Sequence, residues 1–174
     1  MAEPTEPTGR RSVFEGSVIR VEIEEWPGLP PHEVIHHLGA AGVLPLLPSN
    51  EVLLVKQFRP AVRQTLTEIP AGQLDVEGED ALTCASRELF EETGYRHRAI
   101  EFLGGFYSSP GFTDEYVHLF WARTEAEPVG EPEQGIAVVR MPFARMVEAA
   151  RAGRVRDVKT AVALLIAAEL APLP

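Results

Sequence analysis

The chain has 174 residues, of which 45% are hydrophobic and 24% charged, the size and composition of one soluble globular domain with a sizeable core. Its 26 acidic residues against 16 basic ones give a formal net charge of −10, which argues against a nucleic-acid partner or an anionic membrane surface, since both need clustered Lys and Arg. A lone Cys84 excludes an internal disulfide and suits a reducing cytoplasm; no signal peptide is expected, and the apolar run at 163–170 is too short for a membrane span.

In chain order, residues 1–12 are rich in Pro, Thr, Glu and Gly and read as a disordered tail. Residues 18–24 alternate, with Ile19, Val21 and Ile23 on the face expected to be buried and Arg20, Glu22 and Glu24 on the other. A Pro-rich turn around Trp26 and Gly28 leads to a second strand at 33–38. Trp26 and His32 either pack this turn or stack on a base. Residues 41–47 and 51–58 are apolar strands around a Pro48-Ser49-Asn50 turn, a hairpin signal. Pro60 ends the second strand and biases Arg59 to an extended conformation. A planar guanidinium at that strand end suits phosphate oxygens.

A helix is expected to follow Glu79 and Asp80, whose charge suits the positive end of the dipole, and to close at Gly94. Leu82, Ala85 and Leu89 form its core stripe, with Cys84 as packing filler. Glu88, Glu91 and Glu92 share another side, within an arc of about 100°. Glu88 and Glu92 repel at i,i+4, near the negative end of the dipole, and no Lys or Arg three or four residues after Glu88 relieves them. A solvated acidic face would mix its signs. Three carboxylates converging at helical spacing suit a hard divalent cation, Mg²⁺ or Mn²⁺.

Beyond the helix, strands are expected at 99–107 and 116–122 around the loop Ser108-Ser109-Pro110-Gly111-Phe112-Thr113-Asp114-Glu115. An acidic loop at 125–135, a strand at 136–140 and two helices complete the chain. The first helix, at 143–152, closes at Gly153, and the second, at 160–170, has Thr160 as N-cap. The pattern is an α/β sandwich.

The stretch 72–95 resembles the signature of the Nudix hydrolases, Gly-x5-Glu-x7-Arg-Glu-U-x-Glu-Glu-x-Gly-U with U bulky and apolar. Gly72, Glu79, Arg87, Glu88, Leu89, Glu91, Glu92, Gly94 and Tyr95 match it. It departs in having six residues rather than five between Gly72 and Glu79. The lead-in Glu68-Ile69-Pro70-Ala71-Gly72 and the loop at 108–115, with Pro110 sixteen residues after Gly94, resemble the ADP-ribose pyrophosphatase subgroup. The resemblance implies an α/β Nudix fold, a mixed β-sheet between α-helices. It divides the chain into a tail at 1–12, an N-terminal β-strand extension at 13–38 and a Nudix hydrolase domain at 39–174.

The same resemblance implies the chemistry. Glu88 and Glu92 would be the principal metal ligands, with Glu91 in support and the Ala71 carbonyl as a further ligand. Arg87 would orient a carboxylate. The metal would be Mg²⁺, with Mn²⁺ or Zn²⁺ as alternatives. In the subgroup a glutamate on a late loop activates water; here that is Glu133 in preference to Glu131, although Gln134 and Ala137 depart from the subgroup's pattern. Arg59, Glu68, Gly111, Phe112, Trp26 and His32 are expected to contact substrate, with Glu68 alternatively tying down its loop. The expected reaction is hydrolysis of ADP-ribose to AMP and ribose 5-phosphate by a homodimer, whose N-terminal strands cross to the partner subunit. The alternatives are another nucleoside diphosphate sugar, such as GDP-mannose, or a nucleotide-binding regulator without turnover.

Overall fold

The computed structural model describes residues 5–170. Its N-terminal part is a three-stranded antiparallel sheet of β1 (Gly9–Glu15), β2 (Ile19–Glu25) and β3 (His32–His37), in that order. Strand β1 begins inside the stretch read as a tail: Gly9 to Ser12 pair with Glu25 to Glu22, so the ordered extension starts at Gly9 rather than residue 13. Composition hid this strand, because pairing to β2 compensates a polar sequence that has no apolar alternation of its own. Of the rest of the expected tail, Thr8 also bonds the Glu25 carbonyl through its N–H, at 2.7 Å, and residues 1–4 lie outside the described residues.

The faces of β2 are the reverse of expectation. Glu22 and Glu24 are buried, 7% and 4% exposed, while Ile19, Val21 and Ile23 are only half-buried. Alternation fixes which residues share a face, but only the packing partner decides which face is covered. Here the acidic face lies against His36, Trp26 and Arg10.

The main sheet has seven strands. Its path runs β10 (Ala137–Pro142), β5 (Glu51–Arg59), β4 (Ala40–Leu46), β9 (Tyr116–Thr124), β8 (His97–Tyr107); β6 (Gln64–Glu68) pairs with β5 and β7 (Ala71–Gln73) with β4. Strands β4 and β9 are parallel and the other pairs antiparallel, so the sheet is mixed, as the resemblance implies. Period-two alternation assigns neighbouring residues to opposite layers. Leu44, Val52, Leu54, Leu119 and Trp121 pack with Phe143, Val147 and Leu164 from α2 (Phe143–Arg151) and α3 (Val158–Leu170). Val43, Leu53 and Phe120 turn the other way, against Ala85 and Leu89 of α1 (Ala81–Thr93). No helix among the described residues is long and apolar enough to cross a membrane.

Two helix details differ from the sequence reading. Leu82 is exposed, and the buried stripe of α1 is Cys84, Ala85, Leu89, Glu92 and Thr93. Helix α3 starts two residues earlier than expected, because Asp157 is its cap: the Asp157 carboxylate accepts from the Thr160 N–H at 3.0 Å and from its hydroxyl. Thr160 is fully buried, and its Oγ accepts the Ile69 N–H at 2.8 Å. That bond fixes the chain just before β7, which leads into the acidic helix.

The extension is joined to the main body at one edge. The Ile35 N–H donates to the Phe112 carbonyl at 2.8 Å, and the Asp114 N–H donates to the Ile35 carbonyl at 3.2 Å. Strand β3 therefore pairs with the loop between β8 and β9.

Candidate active site

Helix α1 carries the acidic trio. Asp80 caps its N-terminus by accepting from the Thr83 N–H at 2.7 Å, and Gly94 closes it in the left-handed region at φ 74°. Glu92 is 5% exposed. Its one hydrogen bond among the described residues is from the Ala71 N–H, at 3.2 Å. Burial pushes its pKa up to about 7; the Ala71 N–H opposes this, the neighbouring charges of Glu88 and Glu133 add to it, and Arg59 opposes it. Glu88 is also raised by burial, although Arg87 pulls the other way.

Arg87 supplies the relief that spacing did not reveal. It meets Glu79 through Nε and Nη2, both at 2.9 Å, and through Nη1 meets Glu88 at 2.6 Å and Glu91 at 2.9 Å. One guanidinium thus orients three carboxylates, a geometry that a lysine ammonium could not match. Glu92 is outside its reach. The longer loop before Glu79 leaves this arrangement in place: Gly78, at φ +79°, turns through open space, and Glu79 meets Arg87.

Gly72 has a steric reason. A Cβ there would lie 1.9 Å from Glu88 Oε1, so any larger residue would push the Glu88 carboxylate out of its place against β7. Cys84 has a pKa pushed up to about 12 by burial, which leaves it protonated and inert as a nucleophile.

Arg59 stands beside this centre. Its Nε and Nη2 donate to the two oxygens of Glu68, at 2.9 and 2.7 Å. Lys159 Nζ adds a contact to Glu68 at 2.6 Å and one to Asp157 at 2.8 Å. Burial alone would raise Glu68, but the two cations outweigh it and hold its pKa below the usual range. Glu68 is 1% exposed, with both oxygens engaged by Arg59 and Lys159. These contacts tie Glu68 to Arg59 and to the start of α3. Sequence reading did not find Lys159, which lies ninety-one residues from Glu68. Asp157 had a signal, an acid directly before an apolar run.

The late loop is anchored to the end of α1. The Glu133 N–H donates to the Glu91 carbonyl at 2.8 Å, and the N–H groups of Val129 and Gly130 donate to the Gly94 carbonyl at 2.8 and 3.1 Å. Gly94 must be glycine here too, since a Cβ would lie 2.1 Å from the Gly130 carbonyl oxygen. The Glu133 side chain is exposed, yet its charge is felt at Glu92.

Trp26, His32, Gly111 and Phe112 come together elsewhere. They line a cavity of about 530 Å³ between the extension and the β8–β9 loop, with Leu29 and Tyr107. Arg59, Glu68 and the helix carboxylates do not line it. One chain therefore brings its expected site residues together as two groups.

The donor set at α1 fits a divalent cation. Glu92 is a carboxylate whose pKa is raised chiefly by burial, with no side-chain cation bonded to it among the described residues, and Glu88 is raised by burial even with Arg87 present. The pH dependence gives a test without metal. With a folded pKa near 7 and an unfolded one near 4.3, the folded protein binds the extra proton, so Glu92 lowers stability as pH rises through that window. Glu92→Gln removes this penalty. In EDTA, the stability of the variant relative to wild type, measured by urea unfolding, should grow by on the order of 2–3 kcal/mol between pH 5 and pH 8. A difference that stays flat with pH would contradict the desolvated carboxylate.

Comparison with known proteins gives these features a family. Residues 36–161 match the NUDIX domain. The chain is 34% identical over 163 residues to an ADP-ribose pyrophosphatase of Bacillus subtilis (strain 168), covering 89% of this chain and 88% of that one. It is 31% identical over 160 residues to a methanol dehydrogenase activator of Bacillus methanolicus, covering 87% and 86%. It is 36% identical over 137 residues to a GDP-mannose pyrophosphatase of Cronobacter sakazakii, covering 72% and 71%. A crystal structure of an ADP compounds hydrolase superposes with a TM-score of 0.77 at 18% identity, over 98% of this chain and 96% of that one, and so shares the fold. The protein belongs to the Nudix hydrolase family.

Proposed function

We propose that the chain hydrolyses the diphosphate bond of ADP-ribose to AMP and ribose 5-phosphate, with Mg²⁺ held by Glu88, Glu91, Glu92 and the Ala71 carbonyl. The observation that carries the proposal is the buried Glu92 carboxylate, which has no bonded side-chain cation among the described residues and a pKa raised by burial to about 7, beside Glu88. The resemblance to the Bacillus subtilis pyrophosphatase supports the choice of substrate. A single cysteine suits work in the reducing cytoplasm.

When bound, the divalent cation neutralises diphosphate oxygens and the departing phosphate. The chain's own residues do the rest. Arg59 keeps Nη1 free of Glu68 and is 39% exposed along its side chain, so it can donate to a diphosphate oxygen while Glu68 and Lys159 hold it in place. Arg87 keeps Glu79, Glu88 and Glu91 aligned. A water attacks phosphorus, the bridging P–O bond breaks, and Glu133 accepts the proton of the water. Its backbone bond to Glu91 and its electrostatic reach to Glu92 support Glu133 over Glu131. Trp26, His32, Gly111 and Phe112 offer an aromatic-walled cavity for the nucleoside.

Because this cavity and the helix carboxylates form separate groups in one chain, we also propose a homodimer in which each N-terminal sheet completes the partner's substrate site. The half-buried Ile19, Val21 and Ile23, with exposed Phe14 opposite Val21, give the sheet an apolar face for that contact. Sedimentation velocity at micromolar concentration should find a dimer. A fully active monomer would overturn the assignment.

The GDP-mannose pyrophosphatase and activator relatives keep two other readings in view. Phosphate release from a panel of nucleotide sugars separates them. ADP-ribose should give the highest kcat/KM in Mg²⁺ and no turnover in EDTA. A higher value for GDP-mannose would replace the substrate, and no turnover of any nucleotide sugar would favour the regulator. Within the active enzyme, Glu133→Gln should lower kcat by about 10²–10⁴-fold with KM little changed, and Glu131→Gln should be far milder. Two variants both near wild type would remove the loop acid from the mechanism.

A further inference from the structure

The N-terminal sheet contains a second cluster of side chains that could ligate a metal, remote in sequence from the acidic helix, and one of them, Glu24, also lines the cavity proposed for the nucleoside. Glu22 and Glu24 on β2 and His36 on β3 converge on the buried face of the sheet, with ligand atoms within 4.8 Å of one another. His36 Nε2 is 3.3 Å from Glu22 Oε2 and 3.7 Å from Glu24 Oε1. A tetrahedral cation with bonds of about 2.0–2.2 Å places its donors roughly 3.3–3.6 Å apart, so two of the edges are close to the required size.

An acidic cluster alone would carry little. Here Glu22 is more than nine-tenths buried, and both Glu22 Oε2 and His36 Nε2 are buried with no hydrogen-bond partner among the described residues, aimed at each other. The outward atom of each ligand is also held. His36 Nδ1 bonds Asp114 Oδ2 at 2.7 Å, Glu24 Oε2 accepts from the Trp26 Nε1–H at 3.0 Å, and Arg20 Nη1 lies 3.4 Å from Glu22 Oε1. A carboxylate on the far nitrogen of a histidine is the arrangement that orients metal-ligating imidazoles, because it fixes the tautomer with its free lone pair toward the metal. Arg10 Nε is the other nearby cation, 3.6 Å from Glu24 Oε1, and like Arg20 it is about half exposed, so neither arginine compensates two buried carboxylates well.

We propose that Glu22, Glu24 and His36 bind one divalent transition-metal ion of the zinc class. Imidazole with carboxylates suits zinc, whereas Mg²⁺ prefers oxygen ligands and keeps its water. The ion joins β2 to β3. Through Asp114, which also accepts the His37 N–H at 2.8 Å, it fastens the sheet to the loop carrying Gly111 and Phe112. Its role is structural, holding the extension against the main body.

The competing arrangement is a protonated His36 paired with Glu22, and zinc titration separates the two. In a Glu88→Gln/Glu92→Gln background, which disables the acidic helix, calorimetric titration with Zn²⁺ should give one equivalent bound, unaffected by millimolar Mg²⁺. Adding Glu22→Gln should weaken that binding at least about 100-fold and abolish the zinc-induced rise in Tm. In EDTA, Tm should hold or rise with this change, because a buried unpaired carboxylate is lost. Should Glu22→Gln fail to fold, His36→Gln in the same background should show the same loss of zinc. No zinc equivalent in the background, or zinc binding unchanged by either substitution, overturns the proposal.

Discussion

Glu92 is buried against β7, and its hydrogen bond comes from a backbone N–H rather than a side-chain cation. A carboxylate in that position disfavours its own charge, and the neighbouring Glu88 and Glu133 increase the difficulty. Much of the local architecture follows from holding it there. Gly72 lets the strand approach the helix, Arg87 ties up the remaining acids of the helix, and the Thr160 hydroxyl fixes Ile69 two residues before Ala71. The protein keeps a local concentration of carboxylates that a bound cation would relieve, so cation affinity and apo-state instability would share one origin.

The surrounding contacts serve position rather than stability. Asp157, Lys159, Glu68 and Arg59 form a chain of charges running from the start of α3 to the edge of the acidic centre. Glu68 is the buried link, paired to two cations, and removing either partner would leave its charge under-compensated. Such a chain fixes where the Arg59 guanidinium stands. The late loop is likewise held by backbone bonds to Glu91 and Gly94, so Glu133 starts from a defined place above the helix end.

The acidic helix was legible in the sequence because its information is local. Helical spacing puts Glu88, Glu91 and Glu92 on one side, Asp80 and Gly94 mark the ends, and the long motif names the family. Apolar strands interleaved with amphipathic helices gave the α/β class, while the mixed sheet between helices came from the family resemblance, because strand direction is not a local signal. What failed was the choice among locally equivalent options. Alternation in β2 identified two faces but reversed which one is covered, because the sheet packs through His36 and Trp26 rather than through its isoleucines. Strand β1 has a polar sequence and exists through its pairing to β2. Leu82 matched the helical period but fell at the solvent edge of α1. Contacts such as Glu68 with Lys159 and His36 with Asp114 join residues some eighty to ninety positions apart, and no local pattern encodes them.

The most direct test of this account is the titration of Glu92 itself, followed by carbon-13 NMR of its side-chain carboxyl, with and without Mg²⁺. A midpoint near pH 7 is expected in EDTA, with a large downward shift when Mg²⁺ is added, as the cation stabilises the charged form. An ordinary carboxylate midpoint that Mg²⁺ leaves unmoved would contradict it.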